Sequence, residues 1–219
     1  MTTQNMPVLA LRGLTAFPGQ TLSFDAEREI SILALENAME GDRELLLVTQ
    51  REINVDKPTE QDLYTMGTIS RVTQILRLGQ NSLRVMVEGG RRARLKRLWQ
   101  LEPYLQGHVE LVEESETVSH GPRTEALLRQ TWTLFQDYAQ LAGNVAEEVT
   151  AAALDCQDPG YLADLIAQNI ALRYDDKQAI LEEVSPLMRL RKLNGFLARE
   201  RDVLGYQRQM EGKVRDELA

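Results

Sequence analysis

The stretch VMVEGGRRARLKRLW, residues 85–99, places five arginine and lysine residues within seven positions after a pair of glycines. A β-strand turns successive side chains to opposite faces, so the stretch divides into two sets. One face carries Val85, Val87, Gly89, Arg91, Ala93 and Leu95. The opposite face carries Met86, Glu88, Gly90, Arg92, Arg94 and Lys96. This pattern predicts an antiparallel strand with one apolar face and one solvated cationic face, and it favours that interpretation over a nucleic-acid clamp.

Short apolar segments around this strand predict that the first half of the chain is a β-rich domain. The candidate strands cover residues 6–12, 44–50, 67–78, 81–90 and 106–114. Pro18-Gly19 predicts a turn, after which Leu22 and Phe24 alternate with polar residues. One helix is predicted among these strands, over residues 27–40, with Asp25 as its cap. Many short strands with one early helix are typical of a compact, barrel-like domain.

The second half of the chain has helical periodicity instead. Predicted helices begin at Pro122, in the Ala-rich segment 144–156, after Asp158, at Asp175 or Asp176, and at Pro186. The polar segment of residues 113–122 separates the two halves. The sequence therefore predicts two domains, a β-rich domain over residues 1–115 and a helical bundle over residues 122–219.

The last predicted helix runs from Pro186 towards Ala219 and is about three times the mean helix length. Its first part has an apolar stripe through Leu190 and Leu197, but its second part keeps only four apolar residues, spaced by four. These four residues are Tyr206, Met210, Val214 and Leu218. A small bundle cannot bury so long a stripe, so the four residues are candidates for self-association; fraying of the helix end is the alternative.

Composition excludes several classes of protein. The net charge is −8, with 25 Lys and Arg against 33 Asp and Glu, which argues against a dedicated nucleic-acid binder. Cys156 is the single cysteine, so an internal disulfide and a cysteine-rich zinc site are both impossible. Neither a secretory signal nor a membrane-spanning apolar run is visible, so we expect a cytoplasmic protein without a membrane partner.

Catalytic patterns are nearly absent. His108 and His120 have no metal-binding spacing, and Cys156 follows an Ala-rich helix, which favours a packed thiol over a nucleophile. Gly212-Lys213 lacks the Ser or Thr and the preceding strand of a phosphate-binding loop. The sequence therefore predicts no catalytic residues and no metal site, and hence no enzyme activity for this chain alone.

Several linked segments resemble the N-terminal domain of the Lon family of ATP-dependent proteases. They are LALRGLTAFPG, SFDAEREISILALENAMEGDRELLLVTQ, DLYTMGTISRVTQIL, RVMVEGGRRARL and DDKQAILEEVSPLMRLRKLNGFLARE. The resemblance covers essentially the whole chain and implies an α+β fold, in which a PUA-like β domain (a pseudo-barrel with one helix) precedes a helical bundle ending in a long helix. It also implies a region that captures unfolded, damaged or tagged proteins and supports a hexamer. ATP, Mg²⁺ and the Ser–Lys peptidase are expected only in later domains, so this chain is either a portion of a longer enzyme or an unusual short protein.

The chain departs from the family pattern at three positions. Ala10 stands where the family usually has proline, and Gly13 replaces a typical acidic residue. In the segment EREIS, Arg28 and Glu29 match the family's REKS motif, but Ile30 occupies the lysine position. Since the charged helix entrance of the family influences substrate choice, the resemblance implies an altered preference here.

The candidate substrate-binding residues are an apolar turn and the adjoining helix entrance. They are Phe17, Pro18, Leu22, Phe24, Arg28 and Glu29. A capture module needs modest exposed apolar patches with polar surroundings, and the turn offers such residues. Alternatively, Leu22 and Phe24 belong to the core. Two other functions stay open at this point: a PUA-like nucleic-acid-binding module that uses Arg92, Arg94 and Lys96, and a stand-alone adaptor or regulator.

Overall fold

The computed structural model describes residues 2–114, 118 and 120–218. The predicted end of the first domain at residue 115, part of the linker and Ala219 lie outside these residues. The chain divides into two compact units, Met1–Glu113 with Arg173–Glu182, and Glu114–Leu172 with Glu183–Ala219. In chain order the elements are β1 (Thr3–Leu11), β2 (Thr21–Ala26), α1 (Glu29–Glu40), β3 (Glu44–Thr49), a 3-10 turn (Glu60–Asp62), β4 (Met66–Gly79), β5 (Ser82–Gln100), β6 (Gln106–Leu111), α2 (Pro122–Ala142), α3 (Glu147–Asp155), α4 (Pro159–Asn169), α5 (Tyr174–Glu182) and α6 (Pro186–Leu218).

The first unit is a six-stranded sheet that closes on itself. The strand order is β2-β5-β4-β3-β1-β6, and β5 also pairs with β6. This closure is possible because β5 is 19 residues long: its first part pairs with β2, and its last part, from Ala93 onward, pairs with β6. The pairs are antiparallel except for β1 with β3. The predicted α+β fold, with a pseudo-barrel before a helical region, is confirmed.

Strands β1 and β3, the parallel pair, are apolar on both faces, which produces two cores. On β1, Leu9 and Leu11 face the cluster beneath α1, whereas Val8 and Ala10 face the interior cluster that also contains Ala93, Leu95 and Val109. β3 divides in the same way, with Leu45 and Leu47 against Leu46 and Val48. Continuous apolar runs are expected for strands that are covered on both sides.

A bulge in β5 changes the faces that strict alternation predicts. Thr68 pairs with Arg92 and Ser70 pairs with Gly89, so one residue of β4 lies opposite two residues of β5. The extra residue interrupts the alternation at this point, and Arg91 is exposed. Arg92 is buried because it lies against α5, whereas Ala93 and Leu95 stay buried as predicted. The predicted solvated position of Arg92 is therefore wrong.

The glycine pair that precedes the cations has a steric role. A Cβ atom on Gly89 would lie 2.1 Å from the Phe17 carbonyl oxygen, because the turn before β2 crosses β5 at this point. Gly89 also donates its N–H to the Gln20 carbonyl at 2.7 Å and accepts from the Gly19 N–H at 2.9 Å. The turn that carries Phe17 is thus bonded directly to β5, and no larger residue fits.

Helix α1 begins slightly later than predicted. Arg28 occupies the N-cap position and the helix ends before Gly41. Asp25 does not cap it; this carboxylate instead accepts from Arg84 Nε at 2.9 Å and Arg84 Nη2 at 3.2 Å across the β2–β5 pair. The arginine lies directly opposite Asp25 in the register, which explains why the ion pair forms in place of the predicted cap.

Helix α5 belongs to the first unit, whereas the sequence assigned it to the helical bundle. Gln178 Nε2 donates to the Met66 carbonyl of β4 at 3.0 Å, and Arg92 Nε donates to the Leu181 carbonyl at 2.9 Å. Arg92 is thereby satisfied inside the protein, as a buried cation must be.

The second unit contains α2, α3, α4 and α6. As predicted, α2 begins with Pro122 and is followed by Gly143 in the left-handed conformation, with φ +72°. Asp158 caps α4 by accepting from the Tyr161 N–H at 2.9 Å. The centre of the unit holds a fully buried arginine, Arg189, whose Nη1 lies 3.1 Å from Glu114 Oε1 and 3.6 Å from Asp164 Oδ2.

Helix α6 is 33 residues long and changes character along its length. Leu190, Leu193 and Leu197 are fully buried, whereas the second part of the helix is exposed. The four residues of the predicted stripe, Tyr206, Met210, Val214 and Leu218, are each more than half exposed. No helix within the described residues is both long enough and apolar enough to cross a membrane.

Candidate functional site

A groove of about 980 Å³ lies at the N-terminal end of α1, entirely within the first unit. We call it the α1 groove. It is lined by residues 27–30 and Leu33 of the helix entrance, residues 56–59 after β3, and residues 101–103 with Leu105 between β5 and β6. Three segments distant in sequence therefore form one concave surface. Its volume is at the upper end of the range usual for binding sites.

Arg28 holds the helix entrance against the sheet. Its Nη1 donates to Gln50 Oε1 at 2.6 Å and to the Asp56 carbonyl at 3.3 Å, and its Nη2 donates to the Ala10 carbonyl at 2.7 Å. Burial lowers the pKa of Arg28, with a further lowering from the nearby Arg12 cation. The guanidinium of Arg28 therefore links the start of α1 to β1 and to the loop after β3 through hydrogen bonds.

Gln50 continues this network into the loop. Its side chain is fully buried, and its Nε2 donates to the Glu52 carbonyl at 3.1 Å and the Val55 carbonyl at 2.8 Å. Since Gln50 holds two carbonyls of this loop and Arg28 holds the Asp56 carbonyl, the loop that leads into residues 56–59 is anchored without a partner. A preformed surface binds with a smaller loss of conformational entropy.

The groove has apolar walls. Six lining residues have apolar side chains: Ile30, Leu33, Pro58, Leu101, Pro103 and Leu105. Leu105 is buried, whereas Leu101 is 45% exposed and therefore accessible to a partner. Such a surface suits apolar side chains that a folded partner would keep inside.

Charged residues surround these walls. The carboxylates are Glu27, Glu29, Asp56 and Glu102, and the cations are Arg28 and Lys57. Within the described part of the chain, none of the four carboxylates forms a side-chain ion pair. The lining thus has two more negative than positive charges.

The structure separates the predicted site residues into two groups. Arg28 and Glu29 line the α1 groove. Phe17 is completely buried and Phe24 is in the core beneath α1, against which Leu22 also packs; Pro18 is partly buried. The prediction that Phe17 and Phe24 present an apolar surface is wrong. The turn that carries Phe17 is bonded to β5, and Phe24 lies on β2 with its ring in the core.

Sequence reasoning missed two of the three groove segments. Pro58 and Pro103 mark both as turns, and Leu101 follows the strand as an apolar residue before a Glu-Pro pair. Those signals identify loops but not their proximity to α1. That proximity depends on the closure of the sheet through β5 and β6.

The structure does not favour the alternative of a nucleic-acid footprint at Arg92, Arg94 and Lys96. Arg92 is buried, and Lys96 Nζ lies 3.2 Å from Glu110 Oε2. Of these three residues, Arg94 alone has an exposed side chain that forms no ion pair with another described residue. The described residues also contain no group of three or more His, Cys, Asp or Glu able to hold a metal ion. Burial raises the pKa of the Cys156 thiol, which disfavours the nucleophilic thiolate.

Comparison with known proteins gives consistent results. The family model described as the ATP-dependent protease La (LON) substrate-binding domain matches residues 5–199. The Lon protease of Desulforamulus reducens is 38% identical over 98% of this chain and 26% of its own length. Lon protease 1 of Bacillus subtilis is 34% identical over 97% of this chain and 27% of its own length. The chain therefore spans about a quarter of the length of these relatives.

Two solved structures share the fold. The N-terminal domain of Mycobacterium avium complex Lon protease aligns with a TM-score of 0.71 at 23% identity, covering 89% of this chain and 98% of that one. The Lon N-terminal domain protein from Xanthomonas campestris aligns with a TM-score of 0.61 at 16% identity, over 87% and 96% of the two chains. With the family model and the relatives, these likenesses lead to one conclusion: the chain belongs to the Lon substrate-binding domain family.

Proposed function

We propose that this chain is the substrate-recognition region of an ATP-dependent Lon-type protease, and that the α1 groove captures segments of unfolded, damaged or tagged proteins. The observation that carries the proposal is a preformed apolar groove within the region that the substrate-binding family model matches. Unfolded chains differ from folded ones chiefly in exposed apolar side chains, and the walls around Ile30 and Leu101 are suited to those.

Weak capture fits the function better than tight capture. The groove has room for only a few side chains, so each contact is modest and a bound segment can leave again. A degradation machine must release a segment in order to move it onward. Several copies in one assembly would raise the overall affinity without strengthening any single contact.

Catalysis is assigned to other parts of such a protease. The proposal gives this chain no cofactor, with ATP and Mg²⁺ bound by later domains of the full-length enzyme. We also propose that the protein is cytoplasmic and that it has no membrane partner. Nucleic-acid binding is not favoured, because the basic stretch places Arg92 inside the protein and pairs Lys96 with Glu110.

The exposed stripe on α6 supports a second element of the proposal, self-association with another copy of this chain. Met210, Val214 and Leu218 share one face of the helix with Gln207 and Glu211. Leu218 is 83% exposed, and burying these side chains against an equivalent stripe would remove apolar area from water. In a full-length enzyme the resulting assembly is expected to be a hexamer.

Sedimentation velocity tests the second element. We expect concentration-dependent association of the chain that is lost in Met210→Glu with Val214→Glu. The control is Asp216→Lys, which changes charge on the same helix but lies away from the face that carries the stripe. Monomers at all concentrations would contradict self-association through the stripe alone.

Fluorescence anisotropy tests capture. A labelled, permanently unfolded polypeptide is titrated with this chain, beside a folded protein of similar size. We expect binding of the unfolded polypeptide only, weakened in Leu101→Ser but not in the control Leu78→Ser, which changes a leucine that is 51% exposed on β4, outside the groove. Equal binding of folded and unfolded partners, or equal effects of the two variants, would refute the proposal.

A further inference from the structure

We infer that the α1 groove selects apolar segments that carry lysine or arginine beside the apolar residues. The inference rests on the proposed function and specifies the class of segment. The walls of the groove determine the apolar part of the preference, whereas the charges around them determine the flanking part. Two observations carry it: the unequal charge of the lining and the engagement of Arg28 inside the protein.

The charges of the groove do not cancel. Glu27 and Glu29 lie on either side of Arg28 in the sequence, and Asp56 and Glu102 come from the two loops. Three of the four carboxylates, Glu27, Asp56 and Glu102, lie outside the helix, and all four residues are exposed. They are therefore available to a partner in water and approach it from all three groove segments.

The two cations compensate for these carboxylates only in part. Arg28 uses three of its five N–H donors on Gln50, Ala10 and the Asp56 carbonyl, so only part of its hydrogen-bonding capacity is left for an anionic partner. Lys57 is exposed and adds one positive charge. An acidic segment would meet more repulsion than attraction, and a segment without charge would gain nothing from the rim.

A segment with an apolar centre and basic flanks complements both features. Its apolar side chains contact Ile30, Leu33 and Leu101, while long lysine or arginine side chains extend from the edge to the carboxylates. Lysine and arginine also cover apolar surface with their methylene stems, so a flanking cation need not displace the central contacts. Charge complementarity of this kind adds selectivity more than affinity.

Three peptides with one apolar centre test the inference, with flanks of lysine, serine or glutamate. We expect the lysine-flanked peptide to bind the wild-type chain about fivefold more tightly than the serine-flanked one, as two exposed charge pairs allow, and the glutamate-flanked peptide to bind most weakly. In Glu27→Lys with Glu102→Lys the order of lysine-flanked and glutamate-flanked peptides should reverse. The preference should also decline in high salt.

A control variant distinguishes the effect of the groove charges from the effect of the net charge of the chain. Glu147→Lys with Glu148→Lys makes the same change in net charge on α3, in the other unit, and should leave the order of the peptides unchanged. An equal effect of both pairs of substitutions would overturn the inference, since overall charge would then explain the preference. Circular dichroism checks that both variants are folded.

The remaining outcomes distinguish the inference from the proposed function. If all three peptides bind equally and Leu101→Ser weakens them all, the flanking preference is refuted while capture by the groove stands. If none of the peptides binds and the unfolded polypeptide does not bind either, both are refuted. Binding that is unaffected by Leu101→Ser and by the groove charges would place capture elsewhere on the chain.

Discussion

Replacement of Arg28 by methionine tests how the groove is held together. The substitution keeps an unbranched apolar stem but removes the guanidinium. It therefore deletes the bonds to Gln50 Oε1 at 2.6 Å, the Ala10 carbonyl at 2.7 Å and the Asp56 carbonyl at 3.3 Å. Since these bonds join β1, the end of β3 and the loop, the first unit should lose stability and the loop should loosen.

The expected loss follows from the contacts. A hydrogen bond from a charged group contributes about 1.5–3 kcal/mol net, and two of the three bonds are short. Arg28 is only partly buried, so water can replace some of these bonds, and we expect a loss of about 2–3 kcal/mol. Arg28→Lys can restore one or two of the bonds and should fall in between. Arg12→Met is the matched control, since Arg12 is exposed and has no hydrogen bond from its side chain to any described residue; it should change stability by less than about 0.5 kcal/mol.

The two tryptophans make the assay specific to each unit. Trp99 lies in the first unit and Trp132 in the second, so urea unfolding followed by fluorescence in a Trp132→Phe background reports on the first unit. The two units can unfold in separate transitions, and a free energy of unfolding is defined only for a two-state transition, so each unit is followed by its own tryptophan. If Arg28→Met loses no more stability than Arg12→Met, Arg28 does not hold the groove, and the argument for a preformed site fails.

Three further predictions concern the rest of the molecule. Arg189→Met should destabilise the second unit by about 3–5 kcal/mol, because it removes the buried guanidinium from beside Asp164 and Glu114. Trp132 fluorescence in a Trp99→Phe background measures this loss, and a value below about 1 kcal/mol would contradict the prediction. Gly89→Ala should cost at least about 2 kcal/mol in the first unit, since its Cβ would collide with the Phe17 carbonyl. Gly195→Ala, at an exposed position of α6 with open space around a Cβ, should instead gain about 0.5–1 kcal/mol, and equal shifts of the denaturation midpoints would refute the steric argument. Burial raises the pKa of Cys156, so its thiolate forms at a higher pH than that of free cysteine. Alkylation of Cys156 by iodoacetamide at about pH 8 should therefore be slower than alkylation of free cysteine, and an equal or faster rate would show an activated thiol.

The elements of this fold are largely predictable from local patterns. Pro122, Gly143 and Asp158 mark helix ends through their own backbone and capping chemistry, and the structure confirms all three. The Leu190 and Leu197 stripe likewise identifies the buried part of α6. Such signals depend on neighbours within a few residues, which a sequence displays directly.

The errors arise where distant segments meet. Strict alternation placed Arg92 in solvent, because the packing of α5 against this strand is not visible in the local pattern. Helix α5 was grouped with the other helices, although the partners of Gln178 and Arg92 show that it packs on the strands. The turn was proposed as a surface patch, with a core position for Leu22 and Phe24 as the alternative. The crossing at Gly89 shows why Phe17 is buried, and the pairing of β2 with β5 shows why Phe24 is in the core.

The candidate site was predictable only in part for the same reason. Arg28 and Glu29 were identified through the resemblance to the Lon family, and both line the groove. The loops at residues 56–59 and 101–105 carry no chemical motif, so their part in the site follows from closure of the sheet rather than from their composition.

Hydrogen exchange of the amides, with and without a permanently unfolded polypeptide, tests the central claim most directly. The claim predicts added protection at residues 27–33, 56–59 and 101–105, with little change around Phe17 or on α3. Protection confined to other surfaces, or none at saturating polypeptide, would contradict capture by the α1 groove.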